Sequence, residues 1–129
     1  MSYPRASVSA VGDRRVRIGA QGESAALSVY EGAGYRLVAR NWRRRVGEID
    51  LIVCRDGLVV FCEVKTRSSG AFGAGFDAVT REKQHRIRRL AELFLIEHRS
   101  FGVTVRFDVA SVSSEGRGRL NVNLFEDAF

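Results

Sequence analysis

Two carboxylates and one lysine in this sequence have the spacing of side chains that meet on a β-hairpin. They are Asp50, Glu63 and Lys65, in the stretch Gly47–Lys65, where two largely apolar runs are joined by Asp56-Gly57. This dipeptide favours a two-residue turn, which places Asp50 directly opposite Glu63. Residues two apart share one face of a strand, so Lys65 is predicted beside Glu63. The sequence therefore predicts an acidic pair next to a lysine.

Such a pair needs something to offset its charge, because opposed carboxylates on an antiparallel pair lie only about 4.5–5.5 Å apart at Cβ and repel each other. Mg²⁺ is typically held by one or two carboxylates together with water and substrate phosphates. Lys65 on the same face would orient or deprotonate a water molecule, or stabilise charge on a phosphate. The alternative is a solvated outer face of an edge hairpin, and spacing alone leaves both interpretations open.

The register of the hairpin makes two further predictions. Arg55 lies opposite Leu58 beside the turn, and Glu48 lies opposite Lys65 at the other end. Lysine is informative at position 65, because the 21 basic residues comprise 19 arginines and only two lysines. Arginine stays protonated, whereas the pKa of a lysine can shift. We therefore expect a chemical reason for lysine at this position.

Composition limits the class of protein. With 129 residues, 45% of them hydrophobic, and a single proline, the chain is expected to form one globular domain. The net charge of +6 indicates a polyanionic partner such as nucleic acid. No apolar run approaches the roughly 20 residues of a membrane span, and no secretory signal is visible, so a cytoplasmic location is expected. Cys54 and Cys62 are interpreted as reduced apolar residues.

The elements that would position the acidic pair can be read from hydrophobic periodicity. Residues 1–17 are predicted to be a basic, disordered tail, and residues 18–129 a single domain. The predicted order, a helix, three strands, a second helix and then further strands, indicates an α/β fold with a central mixed sheet of four to five strands and helices on both faces. The predicted elements are a helix at Gly19–Glu31, strands at Tyr35–Arg40, Glu48–Val53 and Val59–Lys65, a helix at Thr80–His98, and strands at Val103–Val112 and Leu120–Leu124.

Three side chains on the predicted helices extend buried stripes toward the same site. Glu23 lies near the start of the first helix, where it is either a third carboxylate directed at the metal or an acid that complements the helix dipole. Lys83 and Gln84 continue the buried stripe of the second helix into its first turn. A separate pair, Arg106 and Asp108, shares a strand face and is expected to form a salt bridge.

An aromatic residue among cations precedes the hairpin. Trp42 is followed by Arg43, Arg44 and Arg45, in a stretch predicted to be a loop. Such a loop can stack on a base and contact phosphates. Equally, it can be a solvated connector with Trp42 folded onto the core, and the sequence does not separate these alternatives.

These residues together carry a family resemblance over roughly Ile18 to Phe129. An acid on a first helix, then Asp, then Glu-x-Lys on the next strand resembles the PD-(D/E)xK superfamily of restriction-endonuclease-like nucleases. More closely, the chain resembles the YraN-type family of endonuclease-like proteins, which is similar to Holliday-junction resolvases. The resemblance runs through Gly22-Glu23, Gly34-Tyr35, Arg40-Asn41-Trp42-Arg43, Gly47-Glu48-Ile49-Asp50-Leu51-Ile52, Phe61-Cys62-Glu63-Val64-Lys65-Thr66-Arg67, Lys83 and Arg106-Phe107-Asp108-Val109.

The resemblance implies a DNA endonuclease that uses Mg²⁺, for which Mn²⁺ would substitute. Asp50, Glu63 and the carbonyl of Val64 would be metal ligands, Glu23 would match the first-helix acid, and Lys65 would be the catalytic lysine. Ile49 stands where the superfamily has a proline. Glu48 and Gln84 are expected to contact the residues that bind the metal. The side chains expected to contact phosphates are Arg43, Arg44, Arg45, Arg67 and Lys83.

The functional expectation is therefore hydrolysis of DNA phosphodiesters, on branched or damaged DNA, with a homodimer suited to two symmetric cuts. The alternative is a nucleic-acid-binding protein that retains the nuclease fold without catalysis. A scaffold for protein interactions fits the basic composition poorly.

Overall fold

One five-stranded mixed sheet carries a helix on each face. The computed structural model describes residues 14–67 and 79–129. In chain order the elements are helix α1 (Arg14–Gly32), strands β1 (Arg36–Arg44), β2 (Gly47–Arg55) and β3 (Leu58–Arg67), helix α2 (Arg81–Glu97), and strands β4 (Thr104–Ser114) and β5 (Leu120–Phe125). The α/β class, the sheet of five strands and the two flanking helices are as predicted, and the arrangement is that of a restriction-endonuclease-like fold.

The strands lie in the spatial order of the sequence, β1-β2-β3-β4-β5. The first three form an antiparallel meander, and β5 is antiparallel to β4. The central pairing of β3 with β4 is parallel, with Leu58 beside Thr104 and Arg67 beside Ser113. A parallel pair needs a long crossover, and α2 lies within this one. Strand β3 therefore lies in the middle of the sheet, between an antiparallel and a parallel neighbour.

The turn between β2 and β3 sets the register that the sequence predicts. Asp56 and Gly57 have φ angles of 49° and 78°, the left-handed pair of a type I′ turn. Arg55 is paired with Leu58 next to the turn, as predicted. The ladder continues from there to the pair of Leu51 and Cys62.

Alternation along the strands divides the core between the two faces of the sheet. On the α1 face, Ala26 and Tyr30 of the helix pack with Leu51, Val60 and Cys62, among others. On the α2 face, the helix packs on Phe61 and Phe107 with its buried stripe, which comprises Ile87, Leu90, Ala91 and Phe94. Each helix thus covers one set of alternate strand residues, which is why the strands read as nearly continuous apolar runs.

Most element boundaries fall within two residues of the predicted ones, with two larger differences. Helix α1 begins at Arg14 and so includes the last four residues of the predicted tail. The tail up to residue 13 and the predicted flexible loop after Arg67 lie outside the described residues. The loop predicted after Arg40 is wrong, because β1 continues to Arg44. Cross-strand partners extend it, since Arg43 pairs with Glu48 of β2.

No helix in the two described ranges is long and apolar enough to cross a membrane. Both cysteines are free, Cys62 on the α1 face and Cys54 at the edge of the core on the α2 face. They therefore lie on opposite sides of the sheet.

Gly22 of α1 lies directly against β3. A Cβ atom at this position would overlap Oγ1 of Thr66 and lie 3.2 Å from its Cβ, and the latter atom is fixed by the strand. We expect Gly22→Ala to lower the free energy of unfolding by about 1–3 kcal/mol, because the overpacking outweighs the higher helix propensity of alanine. Urea unfolding measures this change.

Gly19 provides the matched control on the same helix, since nothing lies within 4 Å of its built Cβ. Gly19→Ala is expected to leave stability unchanged or to raise it by up to ~1 kcal/mol. Thr66→Ala removes the nearest atom and should restore part of the loss in the double variant. Equal effects at both glycines would contradict the close approach of α1 to β3.

Candidate functional site

The predicted acidic pair lies where β2 and β3 separate. Their ladder ends at Leu51 and Cys62, whereas β3 remains paired with β4 as far as Arg67. One residue beyond the end of the ladder, Oδ2 of Asp50 accepts the backbone N–H of Val64 at 2.8 Å. The side chain of Asp50 thus supplies the acceptor for a backbone N–H of β3 at the point where the ladder between β2 and β3 ends.

The structure brings Asp50 and Glu63 together. Burial raises the pKa of the Asp50 carboxyl well above its ordinary value, and the charge of Glu63 and a hydrogen bond to it raise this pKa further. The N–H of Val64 acts in the opposite direction. The raised pKa shows that two ionised carboxylates are difficult to keep here without a cation, which is the electrostatic problem that the sequence predicts.

Lys83 supplies a cation from α2. Its Nζ lies 3.2 Å from Oε1 of Glu63. Thr80 caps the helix by accepting the N–H of Lys83, and Nε2 of Gln84 donates to the carbonyl of Val79 at 2.9 Å. The first turn of α2 is therefore anchored beside the end of the β2–β3 ladder.

Lys65 is half-buried and pairs in the sheet with Ser111 of β4. Within residues 14–67 and 79–129 its ammonium makes no ion pair with a carboxylate. Glu48, expected opposite it, instead forms an ion pair with Arg43 at 3.3 Å. Lys65 and Glu63 lie two residues apart on β3.

Glu23 is held by β1 rather than by the acidic pair. Its Oε1 lies 3.3 Å from Nε of Arg40, and its Oε2 accepts Nδ2 of Asn41 at 2.9 Å. Its charge makes a smaller contribution to the raised pKa of Asp50. Arg40 and Asn41 are thus site residues that sequence reasoning did not identify, although both lie in the motif that carries the resemblance.

A backbone irregularity at Asn41 explains how β1 reaches Glu23. Asn41 has a φ of 52°, in the left-handed region that asparagine tolerates better than most residues. Arg40 on one side of it contacts α1, whereas Trp42 on the other side packs edge-on against Phe94 of α2 at 5.4 Å. Residues two apart normally share a face. The left-handed residue therefore places the side chains before and after it on opposite faces of the sheet, and its own amide donates to Glu23.

The side chains present fit a hard divalent cation. Asp50 and Glu63 provide carboxylate oxygens, and one or two carboxylates with water suffice for Mg²⁺ in proteins. No three His, Cys, Asp or Glu side chains of the described segments converge on one point, so Glu23 does not complete a three-carboxylate cluster here. With these two carboxylates alone, a bound ion would take its remaining ligands from backbone, solvent or substrate.

The arginines predicted to contact phosphates differ in their partners and exposure. Arg44 forms a bidentate pair with Glu97, at 3.0 and 2.6 Å, and its guanidinium lies 4.2 Å from the centre of the Trp42 ring. Arg45 is exposed in the turn after β1, and Arg67 is half-buried at the end of β3. Trp42 itself is partly buried on the core, as one of the two alternatives for this stretch predicted.

A second buried polar group lies on the α1 face. Asp108 of β4 is fully buried and accepts hydrogen bonds from Tyr30 Oη at 2.6 Å and from the backbone N–H of Asp127 at 3.0 Å. Arg106 donates to both of its oxygens, at 2.8 and 2.9 Å. Burial, followed by the charges of Cys62 and Asp108, raises the pKa of Tyr30 far above its ordinary value.

The salt bridge within this group confirms the prediction from the spacing of Arg106 and Asp108. Tyr30 was not identified, because a tyrosine in an apolar helical stripe carries no sign of its distant partner. We refer to Tyr30, Arg106 and Asp108 as the buried network.

Comparison with known proteins gives one consistent result. A family model described as "Uncharacterised protein family UPF0102" matches residues 22–112. A UPF0102 protein of Symbiobacterium thermophilum is 46% identical over 113 residues, 88% of this chain and 96% of the relative. One from Parafrankia sp. is 45% identical over the same shares, and one from Mycolicibacterium gilvum is 47% identical over 83% of this chain and 88% of its own length.

Proposed function

Because this chain belongs to the uncharacterised protein family UPF0102, whose description assigns no reaction, we propose its function from its site: a metal-dependent endonuclease that hydrolyses DNA phosphodiesters. The observation that carries this proposal is the pair of Asp50 and Glu63, held together at the point where β2 and β3 separate, with Lys65 on the same strand as Glu63.

The electrostatics of this pair favour a catalytic over a structural role. Its two carboxylates raise the free energy of the folded protein when both are ionised, as the raised pKa of Asp50 indicates. A purely structural position would be more stable with a neutral residue of similar shape. Retaining this pair is understandable if a divalent cation neutralises it when the protein works.

The side chains of the site would have separate roles in metal binding and in catalysis. Asp50, Glu63 and the carbonyl of Val64 would hold Mg²⁺, which supplies Lewis-acid stabilisation of charge on the phosphate. Lys65 would orient the attacking water and, as the neutral amine, accept its proton, or, as the ammonium, stabilise the developing negative charge. Glu23, fixed by Arg40 and Asn41, adds negative potential near Asp50 without occupying its ligand positions.

The positive charge of the chain supports a nucleic-acid substrate. The net charge is +6, and exposed or half-exposed cations lie on β1, β3 and α2. Phosphate contacts by arginines release counterions, so binding is expected to weaken strongly with salt. We propose branched or damaged DNA as the substrate and a dimer for paired cuts. The contributing cations would be Arg43, Arg44, Arg45, Arg67 and Lys83.

Cleavage of linear, flap and four-way DNA with Mg²⁺ or Mn²⁺ tests this proposal directly. We expect the wild type to cut at least one substrate, and Lys65→Met to reduce its rate by about 10²–10⁴-fold, the usual contribution of a positioned proton-transfer group. The cleavage rate of Glu63→Gln should fall at least as far, because this substitution weakens a metal ligand. The control is Glu31→Gln, which removes one charge from an exposed residue at the end of α1, where the following Ala33 accepts a hydrogen bond from Arg55, beside the β2–β3 turn.

The same assay separates the nuclease from the binding-only alternative. If the wild type and both site variants bind DNA but none of them cuts it, the protein is a nucleic-acid-binding protein with a nuclease fold. If the site variants cut as fast as the wild type, the residues assigned to catalysis are wrong.

A further inference from the structure

We propose that Lys83 is an internal counter-cation of the acidic pair, which a divalent metal ion must displace before it can bind Glu63. This inference rests on the proposed function, because it describes how the same site is loaded. It begins from one contact, the 3.2 Å ion pair between Lys83 Nζ and Glu63 Oε1. We call this contact the Lys83–Glu63 pair.

The two partners differ in their freedom to move. The side chain of Glu63 is 9% exposed and projects from the central strand, whereas that of Lys83 is 42% exposed. The backbone of Lys83 is fixed by the Thr80 cap, so movement is confined to its flexible four-carbon stem. When the pair separates, Lys83 is therefore the partner that moves, and Glu63 stays in place.

Metal binding requires this separation, because a metal ion coordinated by Glu63 and an ammonium 3.2 Å from the same carboxylate repel each other at short range. The free energy of the Lys83–Glu63 pair is therefore subtracted from that of metal binding. The pair also lowers the repulsion between Asp50 and Glu63 in the metal-free protein. Lys83 thus sets the metal concentration at which the site becomes loaded.

The exchange has a consequence for the substrate. An ammonium released from Glu63 remains tethered to the first turn of α2, beside the metal position. It is then free to pair with a phosphate oxygen that approaches the metal. The same side chain would neutralise the carboxylate before loading and the DNA afterwards.

A different role for Lys83 predicts the opposite effect on metal affinity. If Lys83 only held Glu63 in the right orientation, its removal would leave a looser ligand and weaker metal binding. If it were an ordinary surface ion pair, its removal would leave metal affinity unchanged. Only a competing cation gives tighter binding when it is removed.

Titration of Mn²⁺ without DNA, followed by the electron paramagnetic resonance signal of the free ion, measures this affinity. We expect Lys83→Met to bind Mn²⁺ about tenfold more tightly than the wild type, a factor equivalent to ~1.4 kcal/mol. Lys83→Arg keeps the charge and should remain close to the wild type. Circular dichroism of each variant verifies that it is folded.

Arg81→Met is the matched control. Arg81 lies in the same first turn and is exposed, and residues two apart on a helix do not face each other. The substitution removes the same charge from the same helical turn, so it separates the effect of the Lys83–Glu63 pair from the general electrostatic effect. Tightening of similar size in Arg81→Met would overturn the proposal.

The outcomes distinguish this inference from the proposed function. Unchanged or weaker Mn²⁺ binding by Lys83→Met, with a wild type that binds, overturns the inference and leaves the nuclease proposal standing. Binding by Lys83→Met alone would support the inference. Absence of Mn²⁺ binding in both proteins overturns the metal-dependent function and the inference together.

Discussion

Replacing Asp108 by alanine is expected to lower the free energy of unfolding by about 3–5 kcal/mol, the usual effect of removing one partner from a buried ion pair. The loss is large because three donors depend on this carboxylate: the hydroxyl of Tyr30, the guanidinium of Arg106 and the N–H of Asp127. Tyr30 is fully buried, so its hydroxyl has no access to water as a replacement. The shift of the urea midpoint at constant slope measures the change.

Glu126 supplies the control for the Asp108 variant. Its carboxylate lies 3.4 Å from the same guanidinium but is largely exposed, so Glu126→Ala should cost less than about 1 kcal/mol. Tyr30→Phe removes a single hydrogen bond to a charged group, so its loss in the free energy of unfolding should lie between those of the other two variants, at about 1.5–3 kcal/mol. Equal losses for Asp108→Ala and Glu126→Ala would show that the buried network does not stabilise the fold.

Asp50→Asn is expected to raise the stability of the metal-free protein at pH 8, on the order of 2 kcal/mol, and to abolish the stabilisation that Mg²⁺ provides. An asparagine oxygen can still accept the N–H of Val64, so the substitution removes the charge and keeps the bond. Repulsion from Glu63 and burial of the charge both disappear. Thermal unfolding with and without Mg²⁺ measures both effects, and cleavage should fall by about 10²–10³-fold.

The sign of the pH dependence follows from the raised pKa of Asp50. The folded state binds this proton more tightly than the unfolded state, so the contribution of Asp50 to stability is complete below its unfolded pKa of about 4. It is lost as the pH rises through the higher pKa of the folded state. Metal-free wild type should therefore lose stability over this range relative to Asp50→Asn.

Asp50→Ala serves as the comparison at the same position. It also removes the charge but leaves the N–H of Val64 without its acceptor, so it should be less stable than Asp50→Asn at every pH. If Asp50→Asn is less stable than the wild type at pH 8, the acidic pair is not strained, and the main electrostatic support for a metal site is lost.

The parts of the fold that depend on local chemistry could be predicted from the sequence. Asp56-Gly57 favours a type I′ turn, and that turn alone determined the register from Arg55 and Leu58 inward. The Thr80 cap and the apolar stripe of α2 were equally local. Asp50 and Glu63 were brought together by the same register, so the centre of the candidate site followed from one dipeptide.

The parts that could not be predicted depend on side chains distant in sequence or on irregular backbone. The left-handed conformation of Asn41 has no sequence signal that distinguishes it from an asparagine in a loop, and it decides that Glu23 is held by β1. The contact of Tyr30 with Asp108 likewise joins α1 to β4 through the core. Sequence periodicity identifies which residues are buried, and it does not identify which buried polar groups find each other.

The irregularity at Asn41 has a consequence for how the protein associates. Strand β1 is an edge of the sheet, and a regular edge strand offers unpaired backbone groups to any other strand. Here the bulge between Leu37 and Ala39, the left-handed Asn41 and the arginines of β1 interrupt that edge. Extension of the sheet by a second molecule, and the aggregation that would follow, is therefore disfavoured at β1. A dimer suited to paired cuts would have to form through another surface.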